Sequence, residues 1–156
     1  MKGEERLIAA LNELLSDELT AINQYMVHAE MAENWGYERL HKLIQARAIV
    51  EMKHAEVLIS RILFLEGQPV VSRLGPITIG QEVPEMFIHD LRAEIDAVKK
   101  YNKAIKLCME CNDSATKEIL EHILKDEDSH VDEIEENQDQ LAQMGTQLYL
   151  TVQVKA

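Results

Sequence analysis

Glycine and proline are scarce in this sequence, 6 and 3 residues out of 156. That excludes the turn-rich pattern of an all-β protein and leaves helix as the preferred state almost everywhere. Basic residues are outnumbered, 16 Lys and Arg against 28 Asp and Glu, for a net charge of −12. Such a chain repels nucleic-acid phosphates and is compatible with attracting cations. No apolar run approaches the roughly 20 residues of a membrane span. Neither end pairs a charged start with an apolar stretch of the kind that directs export, so a cytoplasmic location with no membrane partner is expected. Cysteine is confined to Cys108 and Cys111, a C-x-x-C in "IKLCMECND" near the C-terminal end of an expected helix. The negative end of a helix disfavours the thiolate that redox exchange or zinc binding needs. With no second pair, the two thiols are read as structural and no disulfide framework is implied.

What the chain has in quantity is Ala, Leu, Ile, Glu, Lys and Met. Hydrophobic residues make up 46% of the sequence, enough for one domain over 1–156 to bury a core. From Glu5 to about Asn34, Leu7, Ile8, Leu11, Leu14, Leu15, Ile22, Tyr25 and Met26 recur at helical spacing until "NWGY" stops them. A second helix is read from about Glu38 to Glu66 and a third from Val83 or Pro84 to about Glu110. A fourth runs from Ala115, with Ser114 as N-cap, to about Met144. After Gly145, "TQLYLTVQV" supplies a short fifth helix at about 146–154.

The segment "QPVVSRLGPITIG" reads as extended chain. Fully extended, residues 67–81 reach about 50 Å, whereas a 28-residue helix is about 42 Å long. A hairpin return needs only about 2 to 8 residues. The segment is therefore read as a crossover that makes helices two and three parallel and relates two helical hairpins by a pseudo-twofold axis. The expected fold class is all-α, a four-helix bundle with a long crossover between helices two and three and a short C-terminal fifth helix.

The pseudo-twofold leaves a mark in the sequence. In "VEMKHAEVL", Glu51 and His54 lie three apart on one helical stripe, close enough to reach one small object. A lone E-x-x-H is more often an exposed pair, but Glu127 and His130 in "KDEDSHVDE" repeat it 76 positions on. The same offset carries Glu18 onto Glu94 and Tyr25 onto Tyr101. Four carboxylates and two imidazoles turned inward from four helices would cost several kcal/mol per ion if left unpaired. A metal-free network of buried acids is the structural alternative. Metal resolves the cost more simply, because four carboxylates neutralise two divalent cations, and a mixed carboxylate and imidazole set suits iron or manganese better than zinc. Glu51 and Glu127 can bridge the two ions while each His binds one, the ligand set of the known dimetal carboxylate bundles.

With the N-terminal "MKGEERLIAALNELLSDELTAINQYMVHAEM", these residues resemble bacterioferritin over essentially the whole chain. The resemblance implies a ferritin-like iron-storage protein. It would be a ferroxidase that oxidises Fe(II) with O2 or H2O2 and stores ferric mineral in a shell of twenty-four subunits built from twofold dimers. By this resemblance Glu18 and Glu94 are terminal ligands, Glu51 and Glu127 bridge, and His54 and His130 each bind one iron of a diiron centre. Tyr25 would hydrogen-bond a ligand carboxylate, with Tyr101 its symmetric counterpart. The family also binds haem b, one per two subunits, through a Met from each, and Met52 matches that residue.

Met52 sits about 100° around the helix from Glu51 and faces away from the metal stripe. Read on its own, an outward Met is interface packing; the resemblance makes it the haem axial ligand, with Leu19, Ile22, Asn23 and Met26 as neighbours. The haem would assist iron release, fed by a ferredoxin-type reductant. Ala46 and Val50 replace an inner-surface His and Asp of some relatives. Asn34, Glu66, Asp132 and Asp139 resemble pore residues, each alone an ordinary solvated position. His28, His41, His89 and His122 have no counterparts and are expected at the surface or in packing. The alternative functions are a ferritin-like diiron peroxidase of the rubrerythrin kind, which usually appends a four-cysteine iron domain, a haem or electron-transfer bundle whose diiron groups are vestigial, and one subunit type of a shell shared with a second bacterioferritin chain.

Overall fold

The computed structural model describes residues 1–155, which form α1 (Glu5–Asn34), α2 (Glu38–Phe64), α3 (Val83–Glu110), α4 (Ser114–Met144) and α5 (Thr146–Thr151), with no strand among them. α1 packs along α2 and α3 along α4, and α1 meets α3 across the bundle. The two hairpins close alike. Gly36 (φ 82) ends the first helix in the left-handed region, and Asn112 (φ 54), 76 positions on, ends the third. The N–H of Tyr37 donates to the Ala32 carbonyl and that of Asp113 to the Cys108 carbonyl, both at 2.9 Å. Gly and Asn tolerate this conformation at the least cost, so the repeat extends from the ligands to the turns.

The crossover lies along α1 and is held by one face of it. Asn12 binds Gln68 O and Val70 N–H, Ser16 donates to Arg73 O, and Thr20 accepts from Gly75 N–H. Gln24 then accepts from Thr78 N–H and His28 from Gly80 N–H. These five residues recur every fourth position, and they satisfy backbone groups that an irregular segment would otherwise leave unpaired. The loop thus travels in the direction of α1 and reaches the far end before α3 begins. α3 returns antiparallel to α1, so that His28 meets Asp90, Tyr25 meets Glu94, Glu18 meets Tyr101 and Arg6 meets Glu110. Helices α2 and α3 are parallel, as the length of the crossover requires.

Three boundaries differ from the sequence reading. Asp113, not Ser114, is the N-cap of α4; its carboxylate accepts from the Thr116 N–H at 2.9 Å and the Thr116 hydroxyl at 2.6 Å. Arg61 also reaches it at 3.3 Å, a partner on α2 that local pattern does not reveal. α2 stops at Phe64, because Glu66 turns left-handed (φ 63) and Gly67 N–H bonds back to Ile62 O. α5 covers six residues rather than running to 154, anchored by Tyr149, which packs edge-on against Phe87 and donates to Asn137 at 2.6 Å.

Two apolar clusters fill the bundle. One contains Leu7, Leu11, Leu14, Leu58, Ile62, Tyr101 and Ile123, the other Tyr25, Ala29, Leu40, Ile44, Phe87, Ile134 and Tyr149. A layer of buried polar groups lies between them. No helix among the described residues is long and apolar enough to cross a membrane. Replacing the cap, Asp113→Ala, is expected to lower the stability of the metal-free protein by about 1 kcal/mol. A shift in the urea midpoint with unchanged divalent-metal uptake would bear this out.

Candidate metal centre

Each of the four long helices sends one glutamate into the polar layer, Glu18 from α1, Glu51 from α2, Glu94 from α3 and Glu127 from α4, and all four are buried. His54 and His130 follow their glutamates by one turn, as E-x-x-H spacing on a helix demands. The six side chains form two groups whose ligand atoms lie within 4.8 Å of one another: Glu18, Glu51, His54 and Glu127, and Glu51, Glu94, Glu127 and His130. Glu51 and Glu127 belong to both groups. Both rings turn Nδ1 inward. His54 Nδ1 lies 3.1 Å from Glu51 Oε2 and 3.0 Å from Glu127 Oε1, and His130 Nδ1 lies 2.9 Å from Glu51 Oε1 and 3.3 Å from Glu94 Oε1. Yet Glu18 Oε2, Glu51 Oε1, Glu94 Oε2, Glu127 Oε1 and His130 Nδ1 make no hydrogen bond of acceptable geometry. Buried polar atoms without partners are costly. These converge on one volume without bonding to one another, the donor arrangement that a cation between them would satisfy.

Two tyrosines complete the pseudo-twofold. Tyr25 donates to Glu94 Oε1 and Tyr101 to Glu18 Oε1, each at 2.6 Å, so each half orients a glutamate of the other. Burial raises both phenols well above their ordinary value, with nearby carboxylates adding to the shift, and keeps them as donors. In the metal-free site the carboxylates repel. Burial first, then Glu18 and Glu94, drive Glu51 well above the carboxylate range, and burial with Glu18 pushes Glu127 up to about 9. Burial opposes a charged His54, but the close carboxylates of Glu127, Glu18 and Asp126 outweigh it and raise the ring to about 11. Glu94 goes the other way, since His130 overcomes burial and lowers it to about 2.

Several polar partners were not foreseen. Asp126 accepts from His54 Nε2 at 2.8 Å. His28, expected as a surface or packing residue, is fully buried and pairs with Asp90 at 2.9 Å, while Arg47 on α2 pairs with the other Asp90 oxygen at 3.2 Å. A signal was present: Arg47 and Asp90 each lie four residues before a predicted ligand glutamate, hence on the inward stripe. His41 bonds to Ala29 O, His89 pairs with Glu85, and His122 is exposed. A cavity of about 200 Å³ between α1, α3 and the crossover is lined by Glu18, Glu94 and Glu127 together with Asp17, Asp96 and Lys100.

Met52 points away from this centre and is 45% exposed. It lines a groove of about 240 Å³ between α1 and α2 with Ile22, Met26, Ala29, Glu30, Gln45, Ala48 and Ile49. Leu19 and Asn23, expected as neighbours, do not line it. Asn34, Glu66, Asp132 and Asp139 are exposed and belong to neither of the two ligand groups. Burial pushes Cys108 up to about 11 and raises Cys111, in keeping with structural thiols.

A four-helix bundle with a long crossover and an inward set of four Glu and two His defines a ferritin-like protein, and a model of the ferritin-like domain matches residues 8–144. The chain is 40% identical over 149 residues to bacterioferritin from Brucella melitensis, a match covering 96% of this chain and 92% of that one. It is 40% identical over 149 residues to bacterioferritin from Mycolicibacterium paratuberculosis, covering 96% and 94%. With bacterioferritin from Streptomyces coelicolor it shares 39% over 155 residues, covering 99% and 93%. The chain belongs to the bacterioferritin family.

Because His54 and Glu127 hold protons up to about pH 11 and 9 when the site is metal-free, divalent metal must displace them at pH 7. Binding should release protons, and affinity should rise with pH from 6 to 8. Calorimetric titration with Co(II) in two buffers of unlike ionisation enthalpy measures this directly. A binding heat independent of the buffer would contradict it.

Proposed function

We propose that this chain stores iron and acts as a ferroxidase, oxidising Fe(II) at a diiron centre inside each subunit. The observation that carries the reading is the set of partnerless buried atoms on Glu18, Glu51, Glu94, Glu127 and His130, all facing one volume. Four carboxylates match the charge of two divalent ions, and the oxygen-rich donor set with two imidazoles favours iron or manganese.

In this reading Glu51 and Glu127, common to both ligand groups, bridge the ions. Glu18 with His54 and Glu94 with His130 complete the two ends. A ferrous pair held here supplies electrons to O2 or H2O2. Tyr101 and Tyr25 hold the terminal carboxylates of Glu18 and Glu94 by donating from phenols that stay protonated. Asp126 holds the Nε2 proton of His54 and so presents Nδ1 to the centre. The cavity beneath Asp17 and Asp96 gives an acidic path from solvent to Glu18 and Glu94, and Lys100 screens it by pairing with Asp17 at 2.8 Å.

The groove around Met52 supports a second part of the proposal, haem b shared by two subunits. Met26, Ile49 and Met52 are all large, apolar and exposed, and such a patch marks a surface meant to be covered. Met52 from each of two copies meeting there on a twofold axis would hold the haem, which would supply electron transfer for iron release from a ferredoxin-type reductant. The oligomer is proposed to be the twenty-four-subunit homo-oligomeric shell of the family, in the cytoplasm.

Glu94→Ala and Glu127→Ala are each expected to abolish the rapid phase of Fe(II) oxidation in stopped-flow absorbance, since each removes an anionic ligand. An unchanged rapid phase in both would overturn the diiron assignment. Met52→Leu, which keeps apolar volume, is expected to eliminate the Soret band while size-exclusion mass and the rapid oxidation phase persist. Full haem content would rule Met52 out.

A further inference from the structure

The 76-residue repeat fails beside the centre. One turn before each ligand glutamate, the inward positions are Leu14 on α1, Arg47 on α2, Asp90 on α3 and Ile123 on α4. Leu14 is the repeat partner of Asp90, and Ile123 of Arg47. The side of the centre that holds Tyr101 is apolar, with Leu14, Ala104 and Ile123 in one cluster with the ring. The side that holds Tyr25 carries a fully buried ion pair.

That ion pair joins α2 to α3 and is tied to α1 and α4 as well. Asp90 Oδ1 accepts from Gln24 Nε2 and from His28 Nδ1, both at 2.9 Å, and its Oδ2 takes the Arg47 guanidinium at 3.2 Å. His28 must carry its proton on Nδ1, because its Nε2 accepts from the Gly80 N–H at 2.9 Å. Gln24 accepts from Thr78 N–H with its amide oxygen. Arg47 spans to Glu133 on α4 at 3.3 Å and lies over the Tyr25 ring, 5.1 Å from its centroid. A buried ion pair is weak as a source of stability, and apolar residues serve the same turn of the repeat on the other side. Fixing a geometry is what it offers beyond packing.

The histidines break the symmetry in the opposite sense. His54 is held from behind by Asp126, whose repeat partner is Val50, so the equivalent position behind His130 has no carboxylate. We propose that the Arg47–Asp90 pair, locked to the crossover through Gln24 and His28, is a positioning device for one of two unequal metal subsites. It clamps the Tyr25 ring, and the Tyr25 hydroxyl then fixes the Glu94 carboxylate. The Glu94–His130 subsite is thereby held from its glutamate, while the Glu18–His54 subsite is held from its histidine by Asp126. Arg47 and Asp90 touch no metal; they act through Tyr25. The inference rests on the dimetal reading above.

Anaerobic Co(II) titration of the metal-free protein, read by the visible ligand-field bands, separates the two equivalents without turnover. Wild type should take two per subunit. Asp90→Asn and Arg47→Met should each weaken one equivalent about tenfold, the scale of losing a ligand's supporting partner, and alter its bands while sparing the other. Asp126→Asn should weaken the other equivalent, and Asp90→Asn with Asp126→Asn should weaken both. Leu14→Ala, a packing loss at the repeat partner of Asp90, should lower the melting temperature with both equivalents intact. Arg47→Lys keeps the charge but not the planar group over the ring; it should fold and lose part of the affinity at the same single equivalent, so it decides the matter if the other variants do not fold. Unchanged Co(II) binding in the Arg47 and Asp90 variants, or equal weakening of both equivalents in them and in Leu14→Ala, would overturn the positioning role. A wild type that takes fewer than two Co(II) would instead sink the dimetal reading, and this inference with it.

Discussion

Six ionisable side chains turned into one buried volume are the constraint on which the rest of this bundle depends. Glu18, Glu51, Glu94 and Glu127 are buried and mutually repulsive, and two imidazoles cannot neutralise four carboxylates. The fold meets that burden locally. The apolar core is divided into two clusters with the polar layer between them, and a tyrosine at the edge of each cluster donates one short hydrogen bond to a glutamate. What remains unpaired after those bonds is directed at a common centre, and a cation bound there would remove the penalty.

The crossover serves the same constraint. Threading it along α1 makes α2 and α3 parallel, which sets an E-x-x-H helix and a single-glutamate helix in each half and brings all four glutamates to one level. The loop is held by a polar ladder on α1 from Asn12 to His28. Two rungs of that ladder, Gln24 and His28, also grip Asp90. Loop docking and the surroundings of the centre are therefore mechanically linked on the Tyr25 side. α2 carries two separate chemistries on opposite faces: Glu51 and His54 look into the bundle, and Met52 looks out across the groove shared with α1.

Most of the helical framework was legible in the sequence, because scarce Gly and Pro leave few places to break a helix and those places fall between periodic segments. The four buried glutamates were legible for a second reason. An internal repeat multiplies weak signals, so two E-x-x-H motifs with matching glutamates and tyrosines at one offset carry more weight than any single motif. Arg47, Asp90 and Asp126 escaped because they break the repeat, having Ile123, Leu14 and Val50 as partners. His28 escaped for a related cause: a lone histidine on a helix is unremarkable until Asp90 from α3 and Gly80 from the crossover are known to flank it. Ser114 and Asp113 are both acceptable caps, and Arg61 from another helix favours Asp113.

By itself, then, the sequence determined the helix count, the parallel relation of the middle helices, the inward stripe of four Glu and two His, and the outward face of Met52. Each of these follows from periodicity or chain length, properties that a one-dimensional string carries in full. The tertiary structure alone decided which tyrosine serves which glutamate, that His54 has a carboxylate behind it while His130 has none, and that a charged clamp closes one side of the centre against an apolar packing on the other. Those features are pairings between residues more than forty positions apart, and a pairing has no energy until the bundle has brought both partners out of water and within reach.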